Sequence, residues 1–128
     1  PVDENGIKNM QNYLRVEIGK ISFDISKDQL IGVGGTITCL SAIKQGLKEY
    51  DEKLVHNSIL YRTDIEEILE MLLKIDIKER EKLPGLNDKR GDIIIAGIYI
   101  LEEIMYKFDI KKILISDNGI LVGIILNL

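Results

Sequence analysis

Four residues have types suited to holding an anionic ligand, Gly34, Gly35 and Thr36 in one turn and Arg90, and a fifth candidate, Asp117, stands out by its place in the chain. The apolar run Ile31-Gly32-Val33 leads into the glycine pair, and helical spacing begins directly after it at Ile37, Leu40, Ile43 and Leu47. Glycine lacks a Cβ, so the backbone can turn sharply there and approach a ligand closely. Thr36 is expected to act as the N-cap, its hydroxyl accepting from an early helix N–H. Unpaired N–H groups at such a helix start attract phosphate. The turn alone is unspecific. Ile37 stands where a dinucleotide fingerprint needs its third glycine, and no lysine follows as in a P-loop, so a plain structural turn is the competing reading. Arg90 offers a planar fork of donors that matches phosphate oxygens. Its other reading is a surface cation paired with Asp88 or Asp92. Asp117 follows a strand end, where α/β folds place ligand residues, unless it serves only the turn before the last helix.

Other reactive side chains carry less. His56 is the single histidine; without a paired base and orienter it supports no triad and reads as structural or solvated. Cys39 has no activating neighbour and is expected to be a buried thiol. One cysteine permits no internal disulfide and fits a reducing cytoplasm. A length of 128 residues suits one domain or less, and 45% hydrophobic against 30% charged residues excludes a disordered chain. The net charge of −4, with scattered basic residues, argues against a nucleic-acid footprint but leaves room for a local anion site. No signal-peptide pattern opens the sequence, and the longest apolar run, 93–101, is too short to span a bilayer.

The elements that must position these residues follow from periodicity. Ile7, Met10, Leu14 and Ile18 predict a helix over 5–18. Residues 29–33 and 112–116 read as short strands, with a possible extended piece between 50 and 60. A helix is expected over 36–49. Thr63-Asp64-Ile65-Glu66 reads as a capping box opening another. A short helical segment at 77–82 stops at Pro84-Gly85, a strong breaker. Residues 88–108 predict the longest helix, apolar nearly all round at its middle, and 120–128 a final apolar helix after the Asp117-Asn118-Gly119 turn. Strands alternating with helices imply an α/β layer with parallel pairing. Two strands are few for such a layer, and unpaired edges favour self-association.

Taken in order, Gly34-Gly35-Thr36, Tyr50-Asp51, the His56 segment, Leu83-Pro84-Gly85-Leu86, Arg90-Gly91-Asp92-Ile93-Ile94 and Ser116-Asp117-Asn118-Gly119 make the sequence resemble the Ppx/GppA family of exopolyphosphatases and guanosine pentaphosphate phosphohydrolases. The resemblance covers residues 2–127, most strongly 29–119. It implies an α/β fold of the actin-like ATPase (ribonuclease H-like) kind, helix-rich with few parallel strands. Residues 1–128 then correspond to the C-terminal part of the second of two actin-like domains around a cleft. The first domain's phosphate loop, the glutamate that orients water and the Asp-x-Gly-Gly-Gly-Ser loop have no counterpart in this sequence.

The implied reaction is hydrolysis of a terminal phosphoanhydride of polyphosphate or guanosine pentaphosphate. Magnesium would be held by ligands outside these residues, and Gly34, Gly35, Thr36, Arg90 and Asp117 would face substrate. Two departures from the family pattern stand out. Gly91 replaces the usual alanine between Arg90 and Asp92, at a cost of roughly 1 kcal/mol if it lies in a helix. Leu121 and Val122 replace an Arg-Glu pair before Gly123. The alternatives are a non-catalytic α/β module binding phosphate or a protein, and another actin-like member such as a sugar kinase; the Arg90 and Ser116-Asp117 segments suit the phosphohydrolases better.

Overall fold

The computed structural model describes residues 3–22, 24, 29–86 and 90–127. Helix α1 (Glu4–Gly19) opens on Asp3, whose carboxylate accepts from the Asn5 N–H at 3.2 Å. Strand β1 (Ile31–Val33) leads into α2 (Gly35–Lys44). A short α3 (Glu52–Val55) and strand β2 (Ile59–Tyr61) precede α4 (Arg62–Lys74). Then come α5 (Ile77–Arg80), α6 (Ile94–Lys107), β3 (Lys112–Ser116) and α7 (Ile120–Leu126).

The strands form one sheet in the order β1-β3-β2. β1 pairs with β3 in parallel, Gly32 opposite Ile115, as alternating strands and helices require. β2 pairs antiparallel with β3, Leu60 opposite Ile113. The sheet is therefore mixed, where the sequence implied parallel strands only. Leu40, Ile65, Leu72, Ile98, Met105 and Ile115 are fully buried between this sheet and the helices. Among the described residues no helix is long and apolar enough to cross a membrane.

Three helix boundaries differ from the sequence reading, each for a local reason. α2 stops at Lys44, short of 49, because Gly46 adopts a left-handed φ of 65° and Leu47 N–H closes back on the Ala42 carbonyl at 3.1 Å. α4 begins one residue before the expected box. Its cap is Tyr61, whose backbone N–H donates to the Asp64 carboxylate at 3.0 Å, so Thr63 plays no capping part. The helix expected over 88–108 starts only at Ile94 and is shorter than α1. Residues 88 and 89 lie outside the described residues, and 91–93 form a turn.

That turn corrects the account of Gly91. The residue is buried ahead of α6, and a Cβ placed on it would lie 2.8 Å from the Ile77 carbonyl oxygen. Glycine is there for close backbone approach, not at a helical cost. Gly91→Ala, the change toward the family pattern, is therefore expected to destabilise by about 1–3 kcal/mol through overpacking. Thermal unfolding checks this; a melting temperature raised by the substitution would restore the helix-propensity reading.

Candidate anion site at the start of helix α2

Gly34 ends β1 with φ 114° and ψ 165°, a conformation that side-chain-bearing residues rarely adopt. Its carbonyl accepts from the N–H groups of Ile37 and Thr38, both at 3.1 Å, which closes the first turn of α2. The N–H groups of Gly35 and Thr36 belong to the first turn, where no preceding carbonyl is in reach within the helix. Thr36 is not the N-cap: that position is Gly34, with no side-chain bond. The Thr36 hydroxyl instead faces α6, where a Cβ on Gly97 would come within 2.6 Å of it. Thr38 takes up the local bonding, its hydroxyl 3.3 Å from the carbonyls of both Gly34 and Gly35.

Arg90 reaches this turn from the other side of the chain. Its Nη1 lies 2.9 Å from the point that a Cβ on Gly35 would occupy. The missing side chain at 35 is what lets the guanidinium sit over the start of the helix. Arg90, Gly35, Thr36, Gly85, Leu86, Ile93 and Ile94 line one small hollow. A second hollow, of about 390 Å³, is lined by Gly34, Gly35, Thr38, Tyr50, Gly85, Asp117 and others. The two share Gly35 and Gly85. All five residues singled out in the sequence thus converge on the N-terminus of α2. Positive charge comes from Arg90 and from the partial charge of the helix start.

Asp117 is held in place through its backbone. Its backbone N–H donates to His56 Nδ1 at 3.2 Å, which makes His56 a structural latch on the turn after β3. Its carboxylate shares the second hollow with Tyr50 and Thr38. Burial pushes the Tyr50 hydroxyl up to about 12, the Asp117 carboxylate adds to this, and Thr38 opposes it. Tyr50 therefore stays protonated. Gly119, not Asp117, is the N-cap of α7.

Sequence reasoning used Tyr50 and Gly85 only as marks of the family resemblance and passed over Thr38, and placed none of the three at the site. Gly85 adopts φ 82° and packs under the Tyr50 ring, with 2.9 Å from its notional Cβ to Tyr50 Cδ2. The Pro84-Gly85 pair signalled a break in the chain but not the ring above it. Cys39, one residue beyond this wall, is buried as expected; burial pushes its thiol up to about 12, which leaves it unreactive.

The sequence matches the Ppx/GppA phosphatase family over residues 1–128. The chain belongs to that family. It is 38% identical over 97 residues to the bifunctional 3-dehydroquinate synthase/phosphatase of Fusobacterium nucleatum, covering 76% of this chain and 14% of that protein. It is 31% identical over 102 residues to exopolyphosphatase 2 of Mycobacterium tuberculosis, covering 77% of this chain and 32% of that protein. The solved structure of the Aquifex aeolicus Ppx/GppA phosphatase superposes with a TM-score of 0.89 at 28% identity, over 98% of this chain and 41% of that one. The fold is accordingly an α/β, actin-like one, and the chain spans a third or less of the length of these curated relatives.

Proposed function

We propose that this chain forms one wall of a cleft that holds the phosphate chain of inorganic polyphosphate or guanosine pentaphosphate while a terminal phosphoanhydride is hydrolysed. The observation that carries this reading is the Arg90 guanidinium seated over Gly35 at the N-terminus of α2. Guanidinium and backbone N–H donors fixed in one place bind spread negative charge without reorganising. In this division of labour the chain's own residues bind and orient. Arg90 takes phosphate oxygens, Gly34 and Gly35 let the substrate approach the backbone, and Asp117 bounds the far side of the hollow.

In this reading the glutamate that positions water for in-line attack, and the remaining phosphate contacts, lie outside these residues. Among the described residues no group of three or more His, Cys, Asp or Glu could hold a metal ion. In this reading magnesium would neutralise charge on the phosphates, held by ligands outside these residues.

Titration of the chain with tripolyphosphate, followed by amide NMR, tests this reading. Saturable shifts are expected at Gly34, Gly35, Thr36 and the residues around Arg90. With magnesium added, no phosphate release is expected, because loss of even one preorganised donor costs on the order of 10²- to 10³-fold in rate. Shifts spread over the surface lysines would overturn the placement. Binding at α2 with turnover would instead show that this chain holds the catalytic groups itself.

The same reading includes association through the open side of the sheet. Among the described residues β1 has no neighbour on its outer edge, Ile31 and Val33 are more than half exposed, and α7 buries none of its side chains. Exposed edges and apolar patches of this kind favour pairing. Sedimentation at several concentrations should show a rising mass; a monomer throughout would contradict it.

A further inference from the structure

A groove of about 460 Å³ runs between α1 and α6, lined by Gln11, Arg15, Glu102, Glu103 and Tyr106. Three carboxylates gather there, and two have partners. Glu103 accepts from Arg15 Nε at 3.1 Å. Glu66, from α4, accepts from the Tyr106 hydroxyl and lies 3.9 Å from Arg62 Nε. Arg62 in turn stacks on the Tyr106 ring, 4.5 Å from its centroid. Glu102 is different. It is 9% exposed, it lines the groove, and no hydrogen bond or ion pair holds its carboxyl among the described residues.

We propose that the groove between α1 and α6 binds a small organic cation bearing a primary ammonium group, with the Glu102 carboxylate as its counter-ion. Charge decides the sign of the ligand. Glu66, Glu102 and Glu103 face Arg15 and Arg62, which leaves one negative charge uncompensated. The Glu102 carboxyl opens into the groove with most of its side chain out of water, and one monovalent cation with hydrogen-bond donors can pair it there. Geometry decides the class. Among the described residues no carboxylate trio is arranged to hold a metal ion. An ammonium group needs only one free carboxylate and can place its other donors on the Gln11 amide or the Tyr106 oxygen.

The titration of Glu102 agrees with this. Burial pushes its carboxyl up to about 7, and the nearby Glu66 and Glu103 carboxylates push the same way. Tyr99 on its own helix feels the Glu102 charge, while Arg15 from α1 and Arg62 from α4 complete the charged groups around it. A raised carboxyl pKa in the folded state means that its ionisation opposes folding as pH climbs from the ordinary glutamate range toward 7.

The test uses the whole chain and n-butylamine, read by amide NMR at constant ionic strength. Saturable shifts centred on Gln11, Glu102 and Glu103 are expected. Affinity should rise about tenfold from pH 6 to pH 8 as Glu102 ionises while the amine stays charged. Glu102→Gln should lower affinity at least tenfold at pH 8, and Glu70→Gln, on the exposed face of α4, should leave it unchanged. Glu102→Gln removes a charge whose ionisation opposes folding, so it should also raise the melting temperature at pH 8. Shifts reproduced by sodium chloride alone would overturn the proposal. So would equal affinity of Glu102→Gln at pH 8.

Discussion

Replacing Arg80 by methionine should lower the stability of this chain by about 2–4 kcal/mol, a large part of the roughly 5–15 kcal/mol that holds a domain together. Arg80 is only 3% exposed. Its Nε donates to the Leu72 carbonyl near the end of α4 at 2.9 Å, and its Nη1 reaches the Gly91 carbonyl at 3.3 Å. Methionine matches the bulk of the stem and relieves the burial of a charge. It leaves both carbonyls facing apolar surroundings, and each unpaired buried acceptor costs about 1–3 kcal/mol. Arg80→Lys should fall between the two, since an ammonium lacks the planar fork that spans both acceptors. Chemical or thermal unfolding measures the difference. A melting temperature unchanged by Arg80→Met would mean that the 91–93 turn is held by other contacts.

The same pair of residues explains where the sequence stopped being legible. Helices α1 and α4 follow from apolar spacing at three and four residues, and α2 was signalled by the glycine turn before it. The start of α6 was not. Ile93-Ile94-Ile95 continues the apolar pattern back toward Arg90 without a break, so local pattern alone extends the helix. What ends it is long-range: the Arg80 side chain on the Gly91 carbonyl, and the Ile77 carbonyl against the Gly91 backbone. Strand β2 was only faintly signalled, as the possible extended piece between 50 and 60, for the opposite reason. Three residues in an exposed-buried-exposed pattern are too few for a periodic signal, and pairing to β3 makes them a strand.

The candidate site divides in the same way. The types of Gly34, Gly35 and Arg90 suggested anion chemistry one by one. Their convergence was implied only by the resemblance, because nothing in local spacing brings residue 90 onto residue 35. Thr36 shows the limit of local rules. Its type and place fit an N-cap, but Gly34 already closes the turn through its own carbonyl, and the Thr36 side chain packs toward Gly97.

The affinity of tripolyphosphate for Arg90→Ala, measured beside its melting temperature, tests the central claim most directly. Arg90 is exposed and seated over Gly35, and truncating it removes a charged donor without opening a core cavity. Hydrogen bonds to charged groups contribute roughly 1.5–3 kcal/mol, which corresponds to a loss of about tenfold to a hundredfold in affinity. The melting temperature should stay within a degree or two, as roughly expected for a surface substitution. A lowered melting temperature with unchanged tripolyphosphate affinity would contradict the account and make Arg90 a structural cation.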